Sequence, residues 1–361
     1  MVSVDEPRRQ ALPQRIEPLK KKAKKLLITL VKIGISASIL AYLVWNAVQS
    51  RPHGENVFAE LVSRPKHWGM LAGAWIMCFS AVMLTFIRWW YLVRALEVPL
   101  PFGNGLRISF LGYLFNLAPM GIVGGDLLKV FMLAHEHPDS RAKSVASVAV
   151  DRLVGLYMLF AVAAVAILAT GLWRLPDPTV RWICHITFAL TAIGCVGIVL
   201  LMVPGVTNGR LTGAASRIPR IGHALESLVD ALRMYRRQPG VLAIAALMSV
   251  AVHTMFATGV YLIARGLPGE PLSLGMHLVV SPLSASTGVL PLPMGPFEAV
   301  LDFLYTSVSR GAIPPGHGLV VALVYRLICI LIAIIGVCYY LGSRAEVVEV
   351  MHEAEQDAPA V

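Results

Sequence analysis

Six stretches of the chain, residues 26–48, 67–93, 144–171, 180–203, 240–264 and 318–341, each run for more than twenty residues with at most two charges. An α-helix needs about 20 apolar residues to cross a hydrocarbon core about 30 Å thick. Six such runs exceed what one globular core can absorb. The composition agrees: 57% of the 361 residues are apolar and 14% are charged, against roughly 25% charged in an ordinary soluble domain. Mean hydropathy is +0.69. The expected fold is an all-α polytopic membrane protein. The run at 26–48 is too long for the apolar region of a cleaved signal peptide, so it reads as a retained first span.

Two further apolar regions break the rule of twenty. Residues 104–134 are interrupted by Ala118-Pro119-Met120-Gly121-Ile122-Val123-Gly124-Gly125-Asp126. Residues 272–310 are interrupted by Leu290-Pro291-Leu292-Pro293-Met294-Gly295-Pro296-Phe297-Glu298. Pro and Gly stop helices, and short apolar arms suit re-entrant segments. Both regions read as helical hairpins that dip into the bilayer, giving eight to ten apolar helices in all. The second has longer arms, so two full crossings is its alternative.

The net charge is +10, but no basic stripe with interleaved aromatics lies outside the apolar runs. The pattern therefore does not fit nucleic-acid binding. Residues 1–25 end in Lys20, Lys21, Lys22, Lys24 and Lys25 and read as a flexible basic tail that attracts anionic headgroups. Residues 204–239 carry six arginines with Ile218, Ile221, Leu225, Leu228, Val229 and Leu232 at helical spacing, the pattern of a surface-lying amphipathic helix. With the N-terminus inside, one side of the membrane carries 19 Lys and Arg and the other 7. Both termini, including the tail at 342–361, are then expected on the cytoplasmic side of the inner membrane. Arg88-Trp89-Trp90-Tyr91 closes the second span and suits an interfacial aromatic belt.

The same unit recurs, at about 67–171 and 240–341. Arg88 and Arg265 end comparable spans, Pro119-Met120-Gly121 matches Pro293-Met294-Gly295, Asp126 matches Glu298, and Arg152 matches Arg326. Three full spans separate equivalent points, so the units are expected to be inverted, with a site at their interface as in many transporters. Arg152 and Arg326 each lie deep in a span. A charge there faces a cavity or a partner. Arginine suits phosphate because its planar fork binds two oxygens; pairing with Asp126 or Glu298 is the structural alternative. Both acids sit where a half-helix begins. They are candidates for helix caps, for neutralising the arginines, or for meeting a cationic headgroup. Lys129, one turn past Asp126, either lines the same cavity or reaches to the inner face. Asn116, Gly124, Gly125 and Gly295 complete the candidate site.

No GxSxG, P-loop, GxGxxG after a strand, or DxD pair is present. His135 and His137 lack further spaced ligands, so no metal, cofactor or catalytic residue is assigned. Cys78, Cys184, Cys195, Cys329 and Cys338 lie in apolar runs without a CxxC pair and read as packing residues. Ser281, Ser284, Ser286 and Thr287 are expected to satisfy backbone groups freed by Pro282.

The segments Asn116 to Asp126, Asp151-Arg152 and Leu290 to Glu298 resemble the membrane domain of bacterial lysylphosphatidylglycerol synthases, a domain that also occurs alone in flippase-like proteins. The resemblance covers about residues 25–341. It implies a lipid-translocating bundle with paired re-entrant helices, acting on an anionic phospholipid or a polyprenyl phosphate. About 20 residues follow the last span, so an aminoacyl-transfer domain is not expected in this chain. Pro296 stands where the family has a more flexible Gly-containing stretch. Two alternatives stand beside lipid translocation. One is an enzyme of lipid-carrier metabolism, and the other is a non-transporting partner of an envelope enzyme.

Overall fold

The computed structural model describes residues 11–49, 57–117, 122–202, 230–290 and 292–357. The Pro119-Met120-Gly121 break and most of the amphipathic loop, residues 203–229, lie outside them. The helices are α1 Ala11–Gln49, α2 Val57–Ser63, α3 Trp68–Ala95, α4 Phe102–Leu117, α5 Ile122–Glu136, α6 Arg141–Thr170, α7 Pro178–Met202, α8 Pro239–Gly266, α9 Leu274–Ser286, α10 Pro296–Val308, α11 His317–Gly342 and α12 Arg344–Asp357. Among the described residues there is no strand. Six helices (α1, α3, α6, α7, α8 and α11) are long and apolar enough to cross a membrane. The fold is all-α and polytopic.

Helix ends follow local chemistry. Pro239 opens α8, where its missing N–H costs nothing. The Ser273 hydroxyl caps α9 by accepting from the Met276 N–H. Gly171, left-handed at φ 69°, closes α6. The tail is not wholly irregular: from Ala11 it continues the helix of the first span. The two helices of the second hairpin have 13 residues each. That is about 20 Å at 1.5 Å per residue, short of a crossing, so the two-span alternative falls.

The order long, short, short, long occurs twice, as α3–α6 and as α8–α11. Equivalent helices run antiparallel. His67, at the start of α3, donates its N–H to the Gly266 carbonyl at the end of α8 (3.0 Å). At the other end, the Gln238 amide before α8 donates to the Ala95 carbonyl that ends α3 (3.0 Å). The units also exchange partners: α9 packs against α6, and its counterpart α4 packs against α11. This is the inverted arrangement that the crossing count requires.

Two landmarks depart from expectation. Arg88 is buried inside α3, while Arg265 is exposed in the last turn of α8, so the two are not equivalents. Trp89 is fully buried among Leu92, Leu111 and Leu133 and forms no interfacial belt.

The C-terminal segment is a packed helix. Val347 and Val350 of α12 are buried against the first hairpin. Arg107 of α4 ties this corner together, donating to Glu346 (2.7 and 3.0 Å) and to Glu136 (2.8 Å). These groups are partly exposed, so the pairs are screened. Arg107→Ala is expected to cost only about 1 kcal/mol globally. Hydrogen exchange should nevertheless rise selectively in residues 344–351; unchanged protection there would show that apolar contacts alone dock α12.

Candidate binding site at the centre of the bundle

Helix α6 carries Asp151 and Arg152 side by side. Neighbouring helical residues point about 100° apart, so they serve different partners. Asp151 faces α3, where its carboxylate accepts from Arg88 Nε at 2.8 Å. Arg88 also donates to the Ser249 hydroxyl of α8 at 2.7 Å and to the Asp151 carbonyl at 3.3 Å. Arg88 and Asp151 are both buried. Arg152 faces α5, where Nε and Nη2 meet the two Asp126 oxygens at 2.5 and 2.6 Å. Asp126 lies in the second turn of α5 and is no cap. Gly124 is in the first turn, and the Gly125 N–H donates to Asn116 Oδ1 at 3.1 Å, stitching the two arms of the hairpin together.

The second unit repeats the device. Arg326 of α11 donates through Nε and Nη2 to one Glu298 oxygen, at 3.0 and 2.8 Å. The other oxygen accepts the Gly295 N–H at 2.7 Å. Glu298 therefore both caps α10 and pairs with the arginine. Gly295 has φ 106°, a conformation open to glycine and strained for other residues.

Arg152 is the twelfth residue of α6 and Arg326 the tenth of α11. From opposite ends of the bundle, each is about 14–17 Å deep. They meet in one cavity of about 320 Å³, which Lys129, Asn116, Tyr113 and Phe297 also line. A second lobe of about 430 Å³ shares Arg88, Asp151, Arg152 and Tyr325 with the first. Lys129 is buried, with its ammonium 5.0 Å from the Trp89 ring and 5.7 Å from Phe86; it lines the cavity and does not reach the surface. Among the described residues no carboxylate lies within ion-pair distance of it. Arg152 and Arg326 each keep Nη1 without a hydrogen-bond partner among the described residues. The cavity thus gathers four cations, Arg88, Lys129, Arg152 and Arg326, against three carboxylates, Asp126, Asp151 and Glu298.

Beside the cavity, an apolar groove of about 370 Å³ runs between α4 and α11, lined by Leu114, Phe115, Ile330, Ile334 and Tyr340. Leu117 belongs to both walls.

Set beside known proteins, residues 29–336 match the model of the lysylphosphatidylglycerol synthase transmembrane region. The chain belongs to this family. It is also similar to a UPF0104 membrane protein of Methanothermobacter thermautotrophicus, 24% identical over 288 residues, which cover 74% of this chain and 84% of that one. No solved structure matches.

Some of the site escaped the sequence reading. The partner of Asp151 lies 63 residues away on α3. Tyr325, which precedes Arg326 as Asp151 precedes Arg152, was signalled by the repeat register. Ser284, Ser286 and Thr287 bond the carbonyls of Val280, Leu283 and Ser284. None of these is the Leu278 carbonyl that Pro282, lacking an N–H, cannot serve.

Proposed function

We propose that the protein translocates a phosphate-bearing lipid, with the phosphate held in the central cavity and the hydrocarbon chain left in the bilayer. The observation that carries this reading is the juncture at Leu117. There a chamber with surplus positive charge meets an apolar groove on the flank of the bundle. A soluble anion has no use for that groove; a lipid tail fits it. Unused Nη1 donors on Arg152 and Arg326 and the ammonium of Lys129 supply charge-assisted bonds to phosphate oxygens.

With the N-terminus cytoplasmic, as the charge asymmetry favours, the first hairpin enters from the cytoplasmic face and the second from the opposite face. Each hairpin tip holds one acid–arginine pair. Exchanging an acid for phosphate at one pair at a time would open the cavity to one leaflet at a time, as inverted repeats allow.

The test is movement of fluorescent phosphatidylglycerol in proteoliposomes, with uptake of sn-glycerol 3-phosphate as the soluble arm. Arg152→Ala/Arg326→Ala is expected to slow lipid movement by about tenfold or more, since each lost charged bond contributes roughly 1.5–3 kcal/mol. Unchanged lipid movement in a folded double mutant would remove the arginines from the mechanism. Uptake of the soluble phosphate without lipid movement would replace the lipid by a free anion.

A further inference from the structure

The three carboxylates of the cavity are matched one to one with arginines: Asp151 with Arg88, Asp126 with Arg152 and Glu298 with Arg326. Lys129 is the remainder. Its ammonium stands over the ring faces of Trp89 and Phe86, and among the described residues no carboxylate comes within ion-pair distance of it. The charges that act on it are Arg88 of α3, Asp126 of α5, and Asp151 and Arg152 of α6, two acids and two arginines already paired with each other. From α4 the titratable group at the cavity is the Tyr113 phenol, neutral at ordinary pH. Helix α12 brings Glu346, which is tied to Arg107. The second unit has Leu301 three residues past Glu298, where the first has Lys129 three residues past Asp126. The odd charge thus belongs to one side chain and not to the repeat.

A desolvated ammonium without a counter-ion is costly, and a cation–π contact offsets only part of that cost. A lysine escapes it by releasing a proton; a guanidinium cannot. Of the four cations, only Lys129 therefore has two accessible charge states. We infer that Lys129 is a proton-coupling site: it is neutral in the empty cavity and takes up one proton when a phosphate monoanion enters. The charge count of the cavity is then zero in both states, three ion pairs alone or three ion pairs with an ammonium and a phosphate. Anion and proton cross together, the step moves no net charge, and a pH difference across the membrane supplies its driving force. This rests on the proposed placement of the phosphate beside Arg152 and Arg326.

The experiment is calorimetric titration of the purified full chain in detergent with short-chain phosphatidylglycerol, at about pH 8, in two buffers of different ionisation enthalpy. A phosphodiester keeps one charge there, so the difference between buffers counts protons taken up by the protein. About one proton per lipid is expected in the parent, with affinity falling by about tenfold per unit as the pH rises further. Lys129→Arg, permanently charged, should bind with no uptake and with affinity independent of pH. His253→Gln, which removes the imidazole of the adjoining lobe, should keep the uptake. The Lys129 stem lies close against Gly112, which leaves little room for the larger arginine, so Lys129→Met is the second variant and needs no lipid. A neutral folded amine is protonated on unfolding, so Lys129→Met should melt above the parent by a gap that narrows as the pH rises. Proton uptake that persists in Lys129→Arg, or a gap that stays constant with pH, overturns the inference. Lipid binding that depends on Arg152 and Arg326 but takes up no proton also overturns it and leaves the phosphate reading intact. Binding indifferent to Arg152→Ala/Arg326→Ala sinks the phosphate placement and this coupling with it.

Discussion

Glu298→Ala is expected to lower the stability of the detergent-solubilised protein by about 3–5 kcal/mol, the cost of leaving one member of a buried ion pair alone. Glu298 is fully buried, and its two oxygens satisfy three donors: Nε and Nη2 of Arg326 and the N–H of Gly295. Truncation strands a guanidinium inside the bundle and an amide at the start of α10 in the same step. Glu298→Gln keeps one acceptor oxygen, enough for either Arg326 or the Gly295 N–H but not both, and sets its NH2 against the other donor; it should still cost less, about 1–3 kcal/mol. The double change Glu298→Leu/Arg326→Leu removes both charges and should recover most of the stability, while phosphate binding stays lost. Chemical unfolding followed by tryptophan fluorescence measures all three. A Glu298→Ala protein that unfolds like the parent would mean that Arg326 does not depend on this acid. The pseudo-equivalent Asp126→Ala should be milder. Arg152 is 46% exposed where Arg326 is 19%, so water takes over part of the lost interaction.

Gly125→Ala is expected to destabilise by at least about 1–3 kcal/mol, against the helix propensity that favours alanine by about 1 kcal/mol. A methyl at Gly125 would collide with the Gly112 carbonyl oxygen and come within 2.5 Å of Asn116 Oδ1. The obstacle is backbone, so no side-chain rotation relieves it, and α4 and α5 must separate at the tip of the hairpin. Separation breaks the Gly125–Asn116 bond and withdraws Asp126 from Arg152. Lipid movement should therefore fall along with stability. Gly103→Ala, with nothing within 4 Å of the added carbon, is the control and should leave both unchanged. If the two alanine variants melt alike, the close crossing of α4 and α5 does not exist in the membrane.

The long spans were legible because burial in lipid leaves a run of fixed minimum length. The apolar stretch 240–264 becomes α8 at Pro239–Gly266, and 318–341 becomes α11 at His317–Gly342. The hairpins were legible because proline and glycine stop helices whatever surrounds them. The pairs Asp126–Arg152 and Glu298–Arg326 were legible as alternatives, since a deep charge requires a partner and the repeat put an acid near each arginine. Trp89 was misread, and Arg88 was wrongly matched to Arg265, for one reason. A residue's place along a span does not say whether it turns toward lipid, headgroups or neighbouring helices.

By itself the amino-acid pattern determined the membrane class, the number of long helices, the two broken hairpins and the repetition of one unit. All of these follow from hydrophobic length and backbone hydrogen bonding, which are local along the chain. Only the tertiary structure decided that Arg88 answers Asp151, that α4 and α9 each lodge against the other unit's last span, and that Lys129 lines the central chamber with no carboxylate at ion-pair distance among the described residues. Those outcomes depend on helix rotation and on contacts between segments far apart in sequence, which one chain read in order does not specify.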